Sequence, residues 1–240
     1  RRLVFERPDR SSLPGVLERF GDDQAGGKEG RDLESLAIDP ASGTVWGGYE
    51  FRKSIIRFHA DLRVDEEVSP PLMRDWGGNS GAEALVRFAD GRFLVIEERP
   101  LRWRDSRHVA LLFATDPIED AEPESVRVDI PGGYRPVDAT PLEDGRALIL
   151  LRRLALGIPP GFETAIAVID IDRRTADGRI PARLLAEFGT AIPQDNYEGM
   201  TITDDADGRH VWLISDDNFM ALQRTLLLKL RWDQREKARE

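Results

Sequence analysis

An internal repeat constrains this chain more than any other feature. Asp32-Leu33-Glu34-Ser35-Leu36-Ala37-Ile38 runs through Gly43 into Val45-Trp46-Gly47-Gly48-Tyr49-Glu50. Gly81-Ala82-Glu83-Ala84-Leu85-Val86 runs through Asp90-Gly91 into Phe93-Leu94-Val95-Ile96-Glu97-Glu98. Pro136-Val137-Asp138-Ala139-Thr140 leads through Asp144-Gly145 to Ala147-Leu148-Ile149-Leu150-Leu151-Arg152. Asn196-Tyr197-Glu198-Gly199-Met200 leads through Asp207-Gly208 to Val211-Trp212-Leu213-Ile214-Ser215-Asp216. The shared plan is an acid, a small residue, an apolar strand, a tight turn, and a second apolar strand ending in a charge. A third strand follows each unit, at 55–58, 110–113, 166–169 and 226–230.

The acid steps from 34 to 83 to 138 to 198, intervals of 49, 55 and 60 residues. A period near 40–50 residues with about four strands per unit is the signature of a β-propeller. Insertions at 115–130 and 172–184 account for the longer steps as loops on the rim. A β-sandwich also has short strands, but nothing in it repeats an acid in register with a turn. The expected fold is therefore all-β, a propeller of four-stranded blades, about four to six in number. One domain spans 1–240, with repeats near 31–75, 79–130, 134–190 and 195–233. Residues 1–30 hold strand-like pieces at 3–5 and 16–20 without the acid, and are expected to be outer strands of a further, incomplete blade. Segment 182–188 fits a short helix or a strand. Trp232-Asp233 occurs once, so the WD40 subtype is not supported.

Composition narrows function by exclusion. Thirty-four Lys and Arg against 44 Asp and Glu give a net charge of −10, which disfavours nucleic acid and anionic membranes as partners. No apolar run approaches the roughly 20 residues of a spanning helix, so no membrane insertion is expected. Zero cysteines remove thiol nucleophiles, Cys-held zinc and iron–sulfur ligation. His59, His108 and His210 sit at different points of the repeat and form no ligand spacing. Ser80, in Gly78-Asn79-Ser80-Gly81-Ala82, lacks the last glycine of a nucleophile elbow. Asp205-Ala206-Asp207-Gly208 resembles an EF-hand loop, but Ile214 stands where the bidentate acid belongs, so a hairpin turn is expected. Gly26-Gly27-Lys28-Glu29 lacks the rest of a phosphate loop. Trp46 and Trp212 occupy corresponding strands and are expected between blades.

The repeated acids carry the functional argument. Innermost strands line a propeller's channel, so Glu34, Glu83, Asp138 and Glu198 are expected to face one another as a ring. Two carboxylates about 6 Å apart repel by roughly 3 kcal/mol at an effective dielectric near 20. A cation, protonation, or paired arginines must relieve that. Oxygen ligands without cysteine favour a hard ion, and calcium tolerates irregular geometry. Alternatively the acids bond backbone N–H groups of the neighbouring blade and fix packing only. The charged strand ends, Glu50, Glu98, Arg152 and Asp216, differ in sign, as a site does. Arg152 with Arg135 and Arg153 either forks an anionic group or neutralises the acids. Ser215-Asp216-Asp217-Asn218-Phe219 offers hard ligands or an Asx turn. The expected metal ligands are Glu34, Glu83, Glu198 and Asp216; the expected catalytic residues are Glu83, Glu198 and Arg152. Glu50, Glu98, Arg135, Asp138, Arg152, Asp217 and Asn218 are expected around the substrate.

These blocks resemble the esterase-like or phytase-like domain family of bacteria. The most specific are Asn196-Tyr197-Glu198-Gly199-Met200, Leu213-Ile214-Ser215-Asp216-Asp217-Asn218-Phe219 and Gln223-Arg224-Thr225-Leu226-Leu227-Leu228. Asp32-Leu33-Glu34-Ser35-Leu36-Ala37, Asn79-Ser80-Gly81-Ala82-Glu83-Ala84-Leu85 and Val137-Asp138 before Asp144-Gly145-Arg146 match earlier blocks, so the likeness covers about 30–231. The resemblance implies a propeller, periplasmic or secreted, with hydrolytic activity on esters or phosphate esters. The chain departs from the family in lacking a Gly-rich N-terminal strand with a Ser-Asp-Arg-like end, which puts part of the site in question. The leading expectation is a monomeric, calcium-dependent hydrolase of a small anionic phosphate or carboxylate ester. The alternatives are a non-catalytic binding propeller with a structural cation, and a lactonase-like sugar-acid enzyme by analogy of fold.

Overall fold

The computed structural model describes residues 2–6, 33–77, 80–102, 105–120, 122–155, 161–189, 192–218, 220 and 223–233. Strand follows strand in four antiparallel sheets, each a blade. Blade one is β2 (Leu33–Ile38), β3 (Val45–Tyr49), β4 (Ser54–Phe58) and β5 (Val64–Val68). Blade two is β6 (Ala82–Arg87), β7 (Phe93–Pro100), β8 (Arg107–Phe113) and β9 (Glu124–Asp129). Blade three is β10 (Arg135–Pro141), β11 (Arg146–Ala155), β12 (Gly161–Asp170) and β14 (Arg183–Glu187), so segment 182–188 supplies a strand and not a helix. Its rim insertion sends β13 (Arg179–Pro181) to lie parallel to β9 of blade two. Blade four is β15 (Tyr197–Asp205), β16 (Gly208–Ser215), β17 (Leu227–Asp233) and, outermost, β1 (Arg2–Glu6). The described residues thus form an all-β propeller of four blades.

One expectation is corrected here. The stretch containing Leu3 and Phe5 builds no further blade; β1 pairs antiparallel with β17, Arg2 opposite Asp233 and Glu6 opposite Lys229. The backbone amides of β17 would otherwise form an open edge. The other strand-like piece, 16–20, lies outside the described residues, as does Gly26-Gly27-Lys28-Glu29.

The turns explain why the hairpins close where they do. Asp144 and Gly145 both take positive φ, 89° and 70°, the backbone that matches a two-residue turn to strand twist. Between blades, the apolar faces of neighbouring sheets merge into three cores. Trp46 and Ile55 of blade one join Leu85, Phe93, Val95 and Leu111 of blade two. Val86, Ile96 and Val128 join Ile149, Ala167 and Ile169 of blade three. Leu148, Leu150 and Ile166 join Tyr197, Met200, Val211 and Leu230 of blade four. Trp46 packs edge-on against Phe93 at 5.0 Å and donates its indole N–H to Asp116. Trp212 does not repeat that role: it is half-buried, bonds Thr203, and lies under Lys229. The cause is topological, because among the described residues no core cluster joins blade four to blade one.

Asp138 ties blade three to blade four. Its Oδ2 accepts the Met200 N–H at 2.6 Å and its Oδ1 accepts the Ala139 N–H at 2.8 Å. Complete burial pushes its carboxyl up to about 8, against the pull of those two donors. Asp138→Ala leaves both N–H groups buried without an acceptor, so a loss of about 2 kcal/mol is expected. That is a fall of roughly 4–8 °C in Tm. A melting curve unchanged from wild type would show that Asp138 carries no blade contact.

Candidate functional site

The inner strands share a backbone irregularity that the sequence does not announce. In each blade the register between first and second strand slips by one residue at the same place. The slips fall between Leu33 and Ser35, Ala82 and Ala84, Pro136 and Asp138, and Tyr197 and Gly199. The extra residues of these β-bulges are Glu34, Glu83, Val137 and Glu198. A bulge turns its unpaired residue out of the ladder, and bulges gather beside active sites for that reason.

The ladder thereby corrects the expected ring. Asp138 lies one residue beyond the bulge, at the position of Ser35, Ala84 and Gly199, and a one-residue step reverses which face a side chain takes. It serves the blade contact described above, while Val137 is its blade's bulged residue. Ser35 occupies the equivalent place in blade one and its hydroxyl donates across to the Ala82 carbonyl of blade two. The packing role therefore belongs to the residue after the bulge; of the bulged glutamates, Glu34 and Glu198 line the cleft among the inner strands.

Arg152 organises the charges around Glu198. One guanidinium nitrogen donates to Glu198 Oε1 and to Asn196 Oδ1; the other lies 3.4 Å from Glu98 Oε1. Asn196, almost fully buried, also donates its amide N–H to Glu198 Oε1 at 2.8 Å. The Arg152 guanidinium lies 5.2 Å from the Phe162 ring, a cation–π contact that fixes its plane. Arg135, opposite Arg152 in the ladder, reaches Glu98 Oε2 at 3.7 Å. Arg153 is turned elsewhere, bonding Glu163 and the Gly132 carbonyl beside Tyr134.

Glu83 occupies the centre of the charge pattern. Burial, then the charges of Glu98 and Glu50, push its carboxyl up to about 7, against the Gly81 N–H and the charge of Arg152. Glu50 comes close because Gly81 has no side chain: a Cβ there would collide with the Glu50 Cα. Lys53 donates to the carbonyls of Gly77 and Ser80, and burial lowers its ammonium pKa even though Glu50, Glu97 and Glu83 oppose the shift. Ser80 is buried with its hydroxyl donating to Glu97 Oε1 at 3.0 Å, so it acts as turn and support. Gly78 and Asn79 lie outside the described residues.

Asp216 adjoins this cluster through its backbone, its N–H donating to the Asn196 carbonyl at 3.0 Å, while its side chain is used in a turn. Asp216 Oδ1 accepts the Asn218 N–H at 3.1 Å and Asp217 Oδ2 accepts the Thr225 hydroxyl at 3.2 Å. Asn218 takes a φ of 48° and donates to Gln223 Oε1. This is the Asx-turn alternative; Phe219 lies outside the described residues. His108 is fully buried, with Nδ1 3.1 Å from the Glu97 carbonyl oxygen, and burial lowers its pKa. Asn196, Lys53, Glu97 and Phe162 escaped the sequence reading as site residues; only Asn196 had a signal, as the first member of Asn-Tyr-Glu-Gly-Met.

The expected calcium ligands do not fit an ion as arranged. Among the described residues no group of three or more His, Asp or Glu side chains gathers within reach of one metal. Glu198 Oε1 is shared by Arg152 and Asn196, and Asp216 Oδ1 accepts the Asn218 N–H in its turn. The repulsion of the ring is met by an arginine and by the raised carboxyl of Glu83.

A propeller in which a bulged glutamate, Glu198, holds a guanidinium beside Glu98 is what fold and site define together. The chain belongs to the phytase-like family, whose model, described as esterase-like activity of phytase, matches residues 5–219. The chain is also similar, at low identity, to solved structures. A luciferin-regenerating enzyme is 14% identical, with a TM-score of 0.40, over 83% of this chain and 75% of that one. A functionally unknown protein from Desulfotomaculum acetoxidans is 11% identical, with a TM-score of 0.34, over 81% and 68%. Hydrazine synthase from Kuenenia stuttgartiensis is 11% identical, with a TM-score of 0.37, over 89% and 62%. A comparison with curated proteins finds no match. Among the described residues no helix is long and apolar enough to cross a membrane.

Proposed function

We propose that this chain hydrolyses an ester at the channel mouth, with Glu83 as general base and Arg152 as the group that stabilises the oxyanion. The observation that carries the reading is Glu83, pushed to about 7 by burial and by Glu98 and Glu50, at the same mouth as the Arg152 guanidinium. A carboxyl near the working pH is deprotonated often enough to accept a proton and basic enough to draw one from water. Water attacks the ester carbon while Glu83 takes its proton, and negative charge grows on the carbonyl oxygen. Arg152 meets that charge in a site partly closed to solvent, where a fixed cation is worth most. As the tetrahedral adduct collapses, the carbon–oxygen bond to the alcohol breaks and Glu83 returns the proton to the leaving oxygen. Glu198, Asn196 and Glu98 are positioning residues that hold Arg152. No step requires an ion.

The test is turnover of p-nitrophenyl acetate by EDTA-treated protein, with and without added calcium. Expected are hydrolysis above the buffer rate, a rate unchanged within about twofold by calcium, and no calcium-dependent shift in Tm. Activity restored only by calcium would overturn the mechanism in favour of a metal site. Absence of turnover on carboxylate esters, phosphate esters and lactones alike would favour the binding propeller. A specific observation supports that second reading too, since Arg152 neutralises its glutamates without any ligand.

A further inference from the structure

Among the described residues blades four and one share no core, and the inner strands line a cleft of about 880 Å³. All four inner strands contribute, together with Trp212 and Ile214 of β16. At the usual rise of about 3.3 Å per residue, the wall from Glu198 to Asp204 runs for about 20 Å. Its walls are apolar where an exposed strand face would normally be polar. Leu36, Ile38 and Ile214 are 43%, 59% and 48% exposed, and all three face the cleft. Glu34 and Glu198 stand at one end; Arg209, bonded to Glu143 and Asp204, closes the charges at the other. Volume, apolar walls and a few convergent polar groups are the ordinary attributes of a small-molecule site.

The charge at the polar end decides what can enter. Glu34 and Glu198 line that end, and Glu198 is paired with Arg152, which also lies beside Glu98. A doubly charged phosphate ester would meet more carboxylates than cations. A neutral ester meets no such field, and its apolar part gains from covering Leu36, Ile38 and Ile214.

We infer that the channel takes neutral carboxylate esters with a medium-length apolar acyl chain. The ester group lies at the Arg152 end and the chain lies along Leu36, Ile38, Ile202 and Ile214. The inference rests on the ester-hydrolase reading above. Burying one methylene fully favours binding by about fourfold, so a half-wet cleft should still give at least tenfold over six methylenes.

The test compares kcat/KM for p-nitrophenyl acetate, butyrate, hexanoate and octanoate, and for p-nitrophenyl phosphate. The expected result is a rise of at least tenfold from acetate to octanoate, carried by KM, with the phosphate ester slowest. Leu36→Glu and Ile214→Glu, both at exposed positions, should each cut the octanoate-to-acetate ratio at least fivefold. Binding of 2-decanone and 2-butanone, which cannot be hydrolysed, is measured by titration calorimetry in parallel. Esters cleaved without chain-length preference, and 2-decanone held no better than 2-butanone, would overturn the inference while leaving the hydrolase reading intact. No ester cleaved, yet 2-decanone bound tightly and lost in Ile214→Glu, would keep the apolar channel and overturn the hydrolase reading. A dimer by sedimentation, dissociated by Leu36→Glu, would assign the apolar face to a second copy and overturn the inference.

Discussion

Glu83→Gln is expected to lower kcat for ester hydrolysis by a factor of about 10²–10⁴, the usual contribution of a positioned base. The substitution keeps the shape and can still accept the Gly81 N–H, which lies 3.3 Å from Oε1. What disappears is the capacity to take a proton. The wild-type rate should rise with pH through about 7, because the base works only when deprotonated and burial with Glu98 and Glu50 places its carboxyl there. In Glu83→Gln that limb should vanish. Stability runs the other way. A carboxyl raised from its ordinary value of 4.5 favours folding below that value, and its contribution is lost as pH rises through about 7. The variant should therefore melt higher than wild type above pH 7, provided it folds normally. A pH–rate profile and melts at pH 5 and 8.5 measure both. Wild-type kcat with an unchanged limb would remove Glu83 from the chemistry.

The blades were legible because each carries its own punctuation: an acid, a glycine turn, an apolar strand. The period follows from Glu34, Glu83 and Glu198 alone. What could not be read was the count of residues inside each ladder. Asp138 aligns with the glutamates letter by letter, yet the bulge in blade three falls on Val137, and with a side-chain period of two that single step moves Asp138 to the blade interface. Arg152 was visible as one of several ways to relieve the acids. Choosing among them required the distances to Glu98 and Glu198, which join positions 54 and 46 residues apart. The pairing of β1 with β17 joins the two ends of the chain, and no local pattern signals such a partner. Leu36 and Ile38 stand in an apolar strand, and a strand's apolar letters do not reveal that one face meets a cleft.

Arg152→Ala should lower kcat by about 10²–10³, the cost of removing one preorganised donor to an oxyanion. The same change has a second, separable effect. Arg152 lowers the proton affinity of Glu83, so without it Glu98 and Glu50 are opposed only by the Gly81 N–H and the ascending limb should move to higher pH. Arg152→Lys separates the two contributions. Its ammonium keeps the positive charge, so the limb should stay closer to that of wild type. It lacks the planar fork that reaches Glu98, Glu198 and Asn196 together, so kcat should still fall, by about tenfold or more. A purely structural Arg152 predicts a different pattern: both variants would lose stability in proportion to activity, and neither would move the pH limb. Identical limbs in wild type, Arg152→Ala and Arg152→Lys would therefore show that Arg152 holds the mouth together without taking part in the proton chemistry of Glu83.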